Sequence, residues 1–227
     1  MPGVPREPDV PRVADVPGVP GEPRVAGASG VEARGSIGAA ELITELSTPA
    51  LPVVVISLLS GLSSAAGWPG LLWGAIPALL CGVVPYAVLE IASRRGLLTD
   101  RHVTQKRQRP WAYGVCLLSV AVSVLLLVLL GAPSMMLWAL GTMFVGLIAA
   151  GGITVVGPKV SVHAFCWSAL CVFLALLFSP WWLLLFAALP VIVWSRLRLG
   201  HHSSTEVALG SGLGALITAV AWFFLPV

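Results

Sequence analysis

Beyond residue 49 the chain alternates long apolar runs with short breaks. The runs cover approximately 50–66, 70–92, 111–130, 134–156, 161–179, 181–199 and 205–225. The breaks are GWPG at 67–70, the long polar stretch SRRGLLTDRHVTQKRQRP at 93–110, GAP at 131–133, GPK at 157–159, Ser179-Pro180, and GHHSS at 200–204. Each run approaches the roughly 20 residues that cross about 30 Å of hydrocarbon. In lipid the backbone must satisfy its own polar groups, so runs of this length predict helices rather than strands. The expected fold class is all-α: a polytopic integral membrane helical bundle with six to seven transmembrane helices, seven by direct count and six if the first run merely dips into the bilayer.

The beginning of the chain follows a different pattern. Residues 1–36 carry seven prolines within the first 23 positions, interleaved with Val, Gly and charge, and lack both helical and alternating periodicity. Proline fixes φ and removes a backbone donor, so this stretch is expected to be a disordered tail preceding a membrane domain at 37–227. No apolar core follows a basic start, so it does not read as a signal peptide. Residues 37–47 (IGAAELITELS) suggest a short amphipathic helix lying on the membrane surface.

Composition strengthens the membrane reading. Apolar residues make up 57% of the 227 and charged residues 10%, where a water-exposed surface needs about a quarter. From residue 111 onward the only charged side chains are Lys159, Arg196, Arg198 and Glu206, too few to coat a soluble fold. The net charge of +3 comes with no basic stripe carrying interleaved aromatics, so nucleic acid is not an expected partner. Cys81, Cys116, Cys166 and Cys171 all fall in apolar runs, without metal-type spacing, and read as small helix residues.

Counting spans gives the remaining charges a location. Two spans separate 93–110 from 157–163, and two more separate that segment from 195–206, so all three polar segments share one face of the membrane. The breaks on the opposite face carry no charge. All four histidines (His102, His163, His201, His202) and both lysines (Lys106, Lys159) lie in or beside the same-face segments. One polar site assembled from three distant pieces of chain is the expectation.

The third segment runs Ser195-Arg196-Leu-Arg-Leu-Gly-His-His202-Ser-Ser-Thr-Glu206, the second Lys159-Val-Ser161-Val-His163, and the first His102-Val-Thr-Gln-Lys-Arg-Gln-Arg109-Pro110. In this order they resemble the three motifs of the type-2 phosphatidic acid phosphatase superfamily, K-x6-R-P, P-S-G-H and S-R-x5-H-x3-D, over roughly residues 100–225. Here His102 stands at the lysine, Val160 and Val162 at the proline and glycine of the second motif, and Glu206 at the terminal aspartate. The resemblance implies a phosphohistidine mechanism. In it His202 attacks phosphorus, Glu206 orients its imidazole, and His163 protonates the leaving oxygen and then activates water. Arg109, Arg196 and Ser161, with Lys159 and His102, would bind the phosphoryl group.

The residues suit this chemistry on their own terms. A neutral imidazole backed by a carboxylate is a nucleophile with a fixed tautomer. Guanidinium forks match the equatorial oxygens of a phosphoryl transition state. Activity is expected to fall on acidification as His202 protonates, so that the profile from pH 5 to 8 is not flat. The sequence Ser203-Ser-Thr-Glu206 also reads as a capping box, and the two uses of Glu206 compete for one carboxylate. The carboxylates expected near the cluster are Asp100 and Glu206, and the excess of arginine disfavours a cation, so neither metal nor cofactor is expected. Expected partners are an amphiphilic phosphate or diphosphate and membrane lipids. Gly210-Ser-Gly-Leu-Gly214 permits close helix packing, within the fold or in a homo-oligomer. The basic loop places the site on the cytoplasmic side by the positive-inside rule, in a multi-pass plasma-membrane protein.

Overall fold

The computed structural model describes residues 28–225, so the tail expected at 1–36 lies mostly outside the described residues. From Ala28 the chain is helical, beginning earlier than the surface helix expected at 37–47. The helices are α1 (Ala28–Leu46), α2 (Ala50–Ser64), α3 (Trp68–Pro77), α4 (Val84–Arg94), α5 (Arg109–Leu129), α6 (Ser134–Val156), α7 (Val162–Leu177), α8 (Leu189–Arg198) and α9 (Ser204–Trp222). A π-helical turn, Ala78–Val83, joins α3 to α4 between Pro77 and Pro85, and a 3-10 segment, Pro180–Ala188, leads into α8. Among the described residues there is no strand. The protein is an all-α, polytopic membrane bundle.

Among the described residues six helical stretches are long and apolar enough to cross a membrane: Ser36–Ser64, Trp68–Arg94, Lys106–Leu129, Ser134–Val156, Pro180–Arg198 and Ser204–Trp222. The short one is α7 rather than the first run. At 16 residues it rises about 24 Å, limited by Gly157-Pro158 before it and Ser179-Pro180 after it. The first run is long enough to cross. It is extended backwards by α1, with Pro49 in helical geometry (φ −58) at the junction.

Helix α7 runs through the middle of the bundle. Nine of its residues are buried, His163 among them, and α9 and α2 pack along it. Its contact with α9 requires glycine. A Cβ on Gly210 would lie 2.5 Å from the Ser161 carbonyl oxygen, and one on Gly214 would overlap the carbonyl of Phe165. The GxxxG therefore serves packing within the chain. Outward faces carry exposed side chains such as Leu118, Leu125, Val156 and Phe223, as lipid contact requires.

The core changes character along its depth. Val120, Leu127, Met136 and Leu140 knit α5 to α6, and Leu170, Phe173 and Leu174 pack under α2 and the Pro180–Ala188 segment. At one end the buried set is polar instead: Thr44, Arg109, Ser161, His163, Ser195, Arg196 and His202.

Candidate active site

Each polar side chain at that end is delivered by a helix terminus. Arg109 is the first residue of α5, with Pro110 behind it at a position where a missing N–H costs nothing. His163 lies in the first turn of α7, Arg196 in the last turn of α8, and His202 immediately before the cap of α9. Arg109 and His163 are 4% exposed, His202 6% and Arg196 1%. Charged and polar groups as buried as this need defined partners.

His202 has them on both ring nitrogens. Nδ1 is 2.9 Å from Glu206 Oε2, and Nε2 is 3.2 Å from Arg109 Nη2. A guanidinium only donates. Nε2 must therefore be the acceptor and Nδ1 the N–H that donates to the carboxylate, a tautomer assigned from its partners. Its basic nitrogen points at an arginine. Burial first, then the charges of Arg109, Arg196 and Lys159, hold the imidazole well below its ordinary pKa. Protonation of His202 between pH 5 and 8, on which the expected acid dependence rests, does not fit this lowering.

Glu206 does not have to choose between its two roles. Oε2 accepts from the Ser203 N–H at 3.2 Å while holding His202, and Ser203 Oγ accepts from the Glu206 N–H at 3.3 Å. The capping box is complete, and the carboxylate orients the imidazole from within it. The two are compatible because His202 directly precedes the cap residue, so its ring and the Ser203 N–H approach one oxygen from neighbouring positions.

Arg109 ties the first segment to the second. Its Nε donates to the Val103 carbonyl at 3.1 Å and its Nη1 to the Val160 carbonyl at 2.6 Å. Val103 adopts φ 49, a left-handed conformation that a β-branched residue rarely accepts. The turn is held by Asp100, whose carbonyl accepts from the Val103 N–H at 3.2 Å and whose carboxylate accepts from Thr104. Strain of this kind persists where the surroundings over-determine it, commonly at a ligand site.

The other histidines close the ring. His102 lies 5.5 Å from His163 and 6.1 Å from His201, centroid to centroid. His102 Nε2 is 3.1 Å from Glu45 Oε1, and Arg101 pairs with the same carboxylate. Burial and Arg196 lower the pKa of His102 against the opposing pull of Glu45, and burial with Arg196 lowers that of His201 to about 4. Arg196 Nε and Nη1 and His163 Nε2 have no hydrogen-bond partner among the described residues. Both residues line a cavity of about 210 Å³, walled at this end by Arg101, His102, Arg109, His163, Arg196 and His202.

Two expected phosphate ligands are placed otherwise. Lys159 stands behind the cavity wall, where Nζ donates to the carbonyls of His201 at 3.2 Å and Thr104 at 3.4 Å and lies 3.8 Å from Glu206. It ties all three segments together. Ser161 caps the start of α7 in the α7–α9 contact, and its N–H donates to the Glu206 carbonyl at 3.2 Å; that amide is already engaged. Its hydroxyl is buried and unpartnered among the described residues, but Ser161 is not in the cavity wall.

One contribution was not anticipated from sequence. Helix α1 supplies Glu45, so the carboxylates near the cluster are not only Asp100 and Glu206. It also supplies Thr44, whose hydroxyl donates to Ser195 Oγ at 3.3 Å. The only local signal was an acidic residue at the end of an apolar amphipathic segment.

No family model, curated protein or solved structure matches the chain.

Proposed function

We propose that the protein is an integral membrane phosphatase acting on lipid phosphates or prenyl phosphates and diphosphates through a phosphohistidine. The observation that carries the reading is the His202 ring, with Nδ1 on Glu206 and Nε2 directed at Arg109 inside a cationic cavity. His202 Nε2 attacks phosphorus, the P–O bond to the lipid breaks, and the leaving oxygen takes a proton from His163. Water then attacks the phosphorus, its proton returns to His163, and the N–P bond breaks to release phosphate. Arg109 and Arg196 meet the charge on the equatorial oxygens, as guanidinium groups do in phosphoryl transfer. Below these groups the same cavity is walled by apolar residues, which supports an amphiphilic substrate.

The site face is cytoplasmic in this reading and the membrane is the plasma membrane. Support comes from Arg94, Arg95, Arg101, Lys106 and Arg107 on the site side against uncharged opposite turns.

A second reading, binding of an anionic lipid without turnover, has one observation in its favour. Val162 occupies the position of a glycine that would let backbone approach phosphate, and the neighbouring Ser161 N–H is given to Glu206. Phosphate release by the purified protein from phosphatidic acid, farnesyl phosphate and farnesyl diphosphate separates the two. The phosphatase reading expects release from at least one of them and its loss in His202→Ala and His163→Ala; wild-type turnover in both variants overturns it.

A further inference from the structure

The cationic groups form only the mouth of the cavity. Its wall continues along α5 from Arg109 through Ala112 and Cys116 to Val120, a rise of about 16 Å, roughly half the hydrocarbon thickness. On the other sides it is lined by small residues: Gly82 on the π-helical turn, Gly146 and Ala150 on α6, Ala169 on α7. Gly82, Gly146, Ala150 and Ala169 are buried, so this wall of the cavity lies inside the bundle. A second space of about 50 Å³ lies beyond and shares Ile56, Met143, Phe165 and Ala169 with the first. Those four side chains are the partition between the two.

The dimensions select an occupant. About 210 Å³ is below the roughly 300–1,000 Å³ of pockets that take drug-sized ligands, yet the space is long. On that volume the space suits one hydrocarbon chain better than two. Anion-binding groups at the mouth and apolar walls beneath fix the polarity of that molecule.

We infer that the substrate is a single-chain amphiphile, a prenyl or monoalkyl phosphate or diphosphate, whose chain enters the bundle alongside α5 and points at the Met143–Phe165 partition. This rests on the phosphatase reading and narrows its substrate class. A two-chain lipid must leave one chain outside, and a longer single chain reaches the second space by displacing the flexible Met143 side chain.

The test uses the full-length protein in detergent with phenyl phosphate, dodecyl phosphate, farnesyl phosphate and dioleoyl phosphatidic acid, in the unchanged chain and in Ala169→Phe. Single-chain substrates are expected to exceed phosphatidic acid in kcat/KM by about tenfold or more, and Ala169→Phe to reduce them by a similar factor through lost chain contact. Phenyl phosphate, which has no chain, should lose markedly less than dodecyl phosphate in the variant, and thermal unfolding in detergent checks that the variant folds. A preference for phosphatidic acid, or an equal loss on phenyl phosphate and dodecyl phosphate by a variant that still folds, overturns the inference. Farnesyl against dodecyl phosphate separates prenyl from saturated chains. In parallel, the unchanged chain is irradiated with dodecyl phosphate carrying a terminal diazirine. Adducts at Met143, Phe165 or Ala169 support the tunnel, and adducts confined to lipid-facing Leu118 and Leu125 contradict it. This readout needs no turnover, so absence of hydrolysis with adducts at the partition would defeat the phosphatase reading and leave the single-chain site standing.

Discussion

One oxygen of Glu206 holds both the Nδ1–H of His202 and the backbone N–H of Ser203. The bond that orients the proposed nucleophile is thus part of the bond set that starts α9, and helix capping and site geometry share a carboxylate.

The two roles separate by mutation. Glu206→Gln retains an acceptor for the Ser203 N–H but removes the charge that steadies a cationic His202, and turnover is expected to fall by roughly 10²–10⁴-fold with thermal stability nearly unchanged. Ser203→Ala removes the other half of the box, costs about 1 kcal/mol, and leaves turnover within a few-fold. Steady-state phosphate release beside thermal unfolding in detergent checks both; equal activity losses in the two variants would show that Glu206 acts only as a cap.

The pH dependence has a defined sign. His102, His201 and His202 all have pKa values below the ordinary imidazole value in the folded protein, so the unfolded chain binds more protons once the pH falls below about 6.5. Stability is therefore complete above that value and is lost as pH falls towards the folded values, about 4 for His201. Unfolding midpoints should decline between pH 7 and pH 5, while ring ¹⁵N shifts keep His202 neutral over the same range. A His202 titration at its ordinary value would contradict the electrostatic picture.

Arg196 is a buried cation with two unpartnered nitrogens. Taking one ion out of water costs several kcal/mol, and these two nitrogens gain no hydrogen bond among the described residues in return. Arg196→Met is expected to keep or raise the unfolding midpoint while lowering turnover by roughly 10²–10³-fold. Loss of both stability and activity would mark Arg196 as structural.

Within the GxxxG, Gly210 faces the Ser161 carbonyl and Gly212 faces open space. Gly210→Ala should cost about 1–3 kcal/mol by overpacking and displace His163 through α7. Gly212→Ala should be neutral or slightly stabilising through helix propensity. Thermal unfolding of the pair tests the contact.

Much of this arrangement was legible in the chain. Run lengths gave an all-helical membrane bundle, and span parity placed His102, His163 and His202 on one face because lipid leaves charged residues few places to lie. The register of Arg196, His202 and Glu206 was readable because it is local. What escaped was long-range. Glu45 and Thr44 reach the site only through the packing of α1 on α8, a Thr44–Ser195 contact across 151 positions that no spacing announces. Lys159 looked like a phosphate ligand by its place beside the second motif; its carbonyl partners, on loops far apart in sequence, make it a tie instead. The shortness of α7 was hidden because an apolar run reads the same whether it meets lipid or is wrapped by other helices.

The central claim is that His202 carries the phosphoryl group, and rapid-quench trapping with a ³²P-labelled single-chain phosphate tests it most directly. The account predicts acid-labile, base-stable label on the peptide containing His202, absent in His202→Ala and accumulating in His163→Ala with a phenyl phosphate substrate, whose leaving group needs no proton. Hydrolysis with no covalent label at any quench time, or label persisting in His202→Ala, would contradict it.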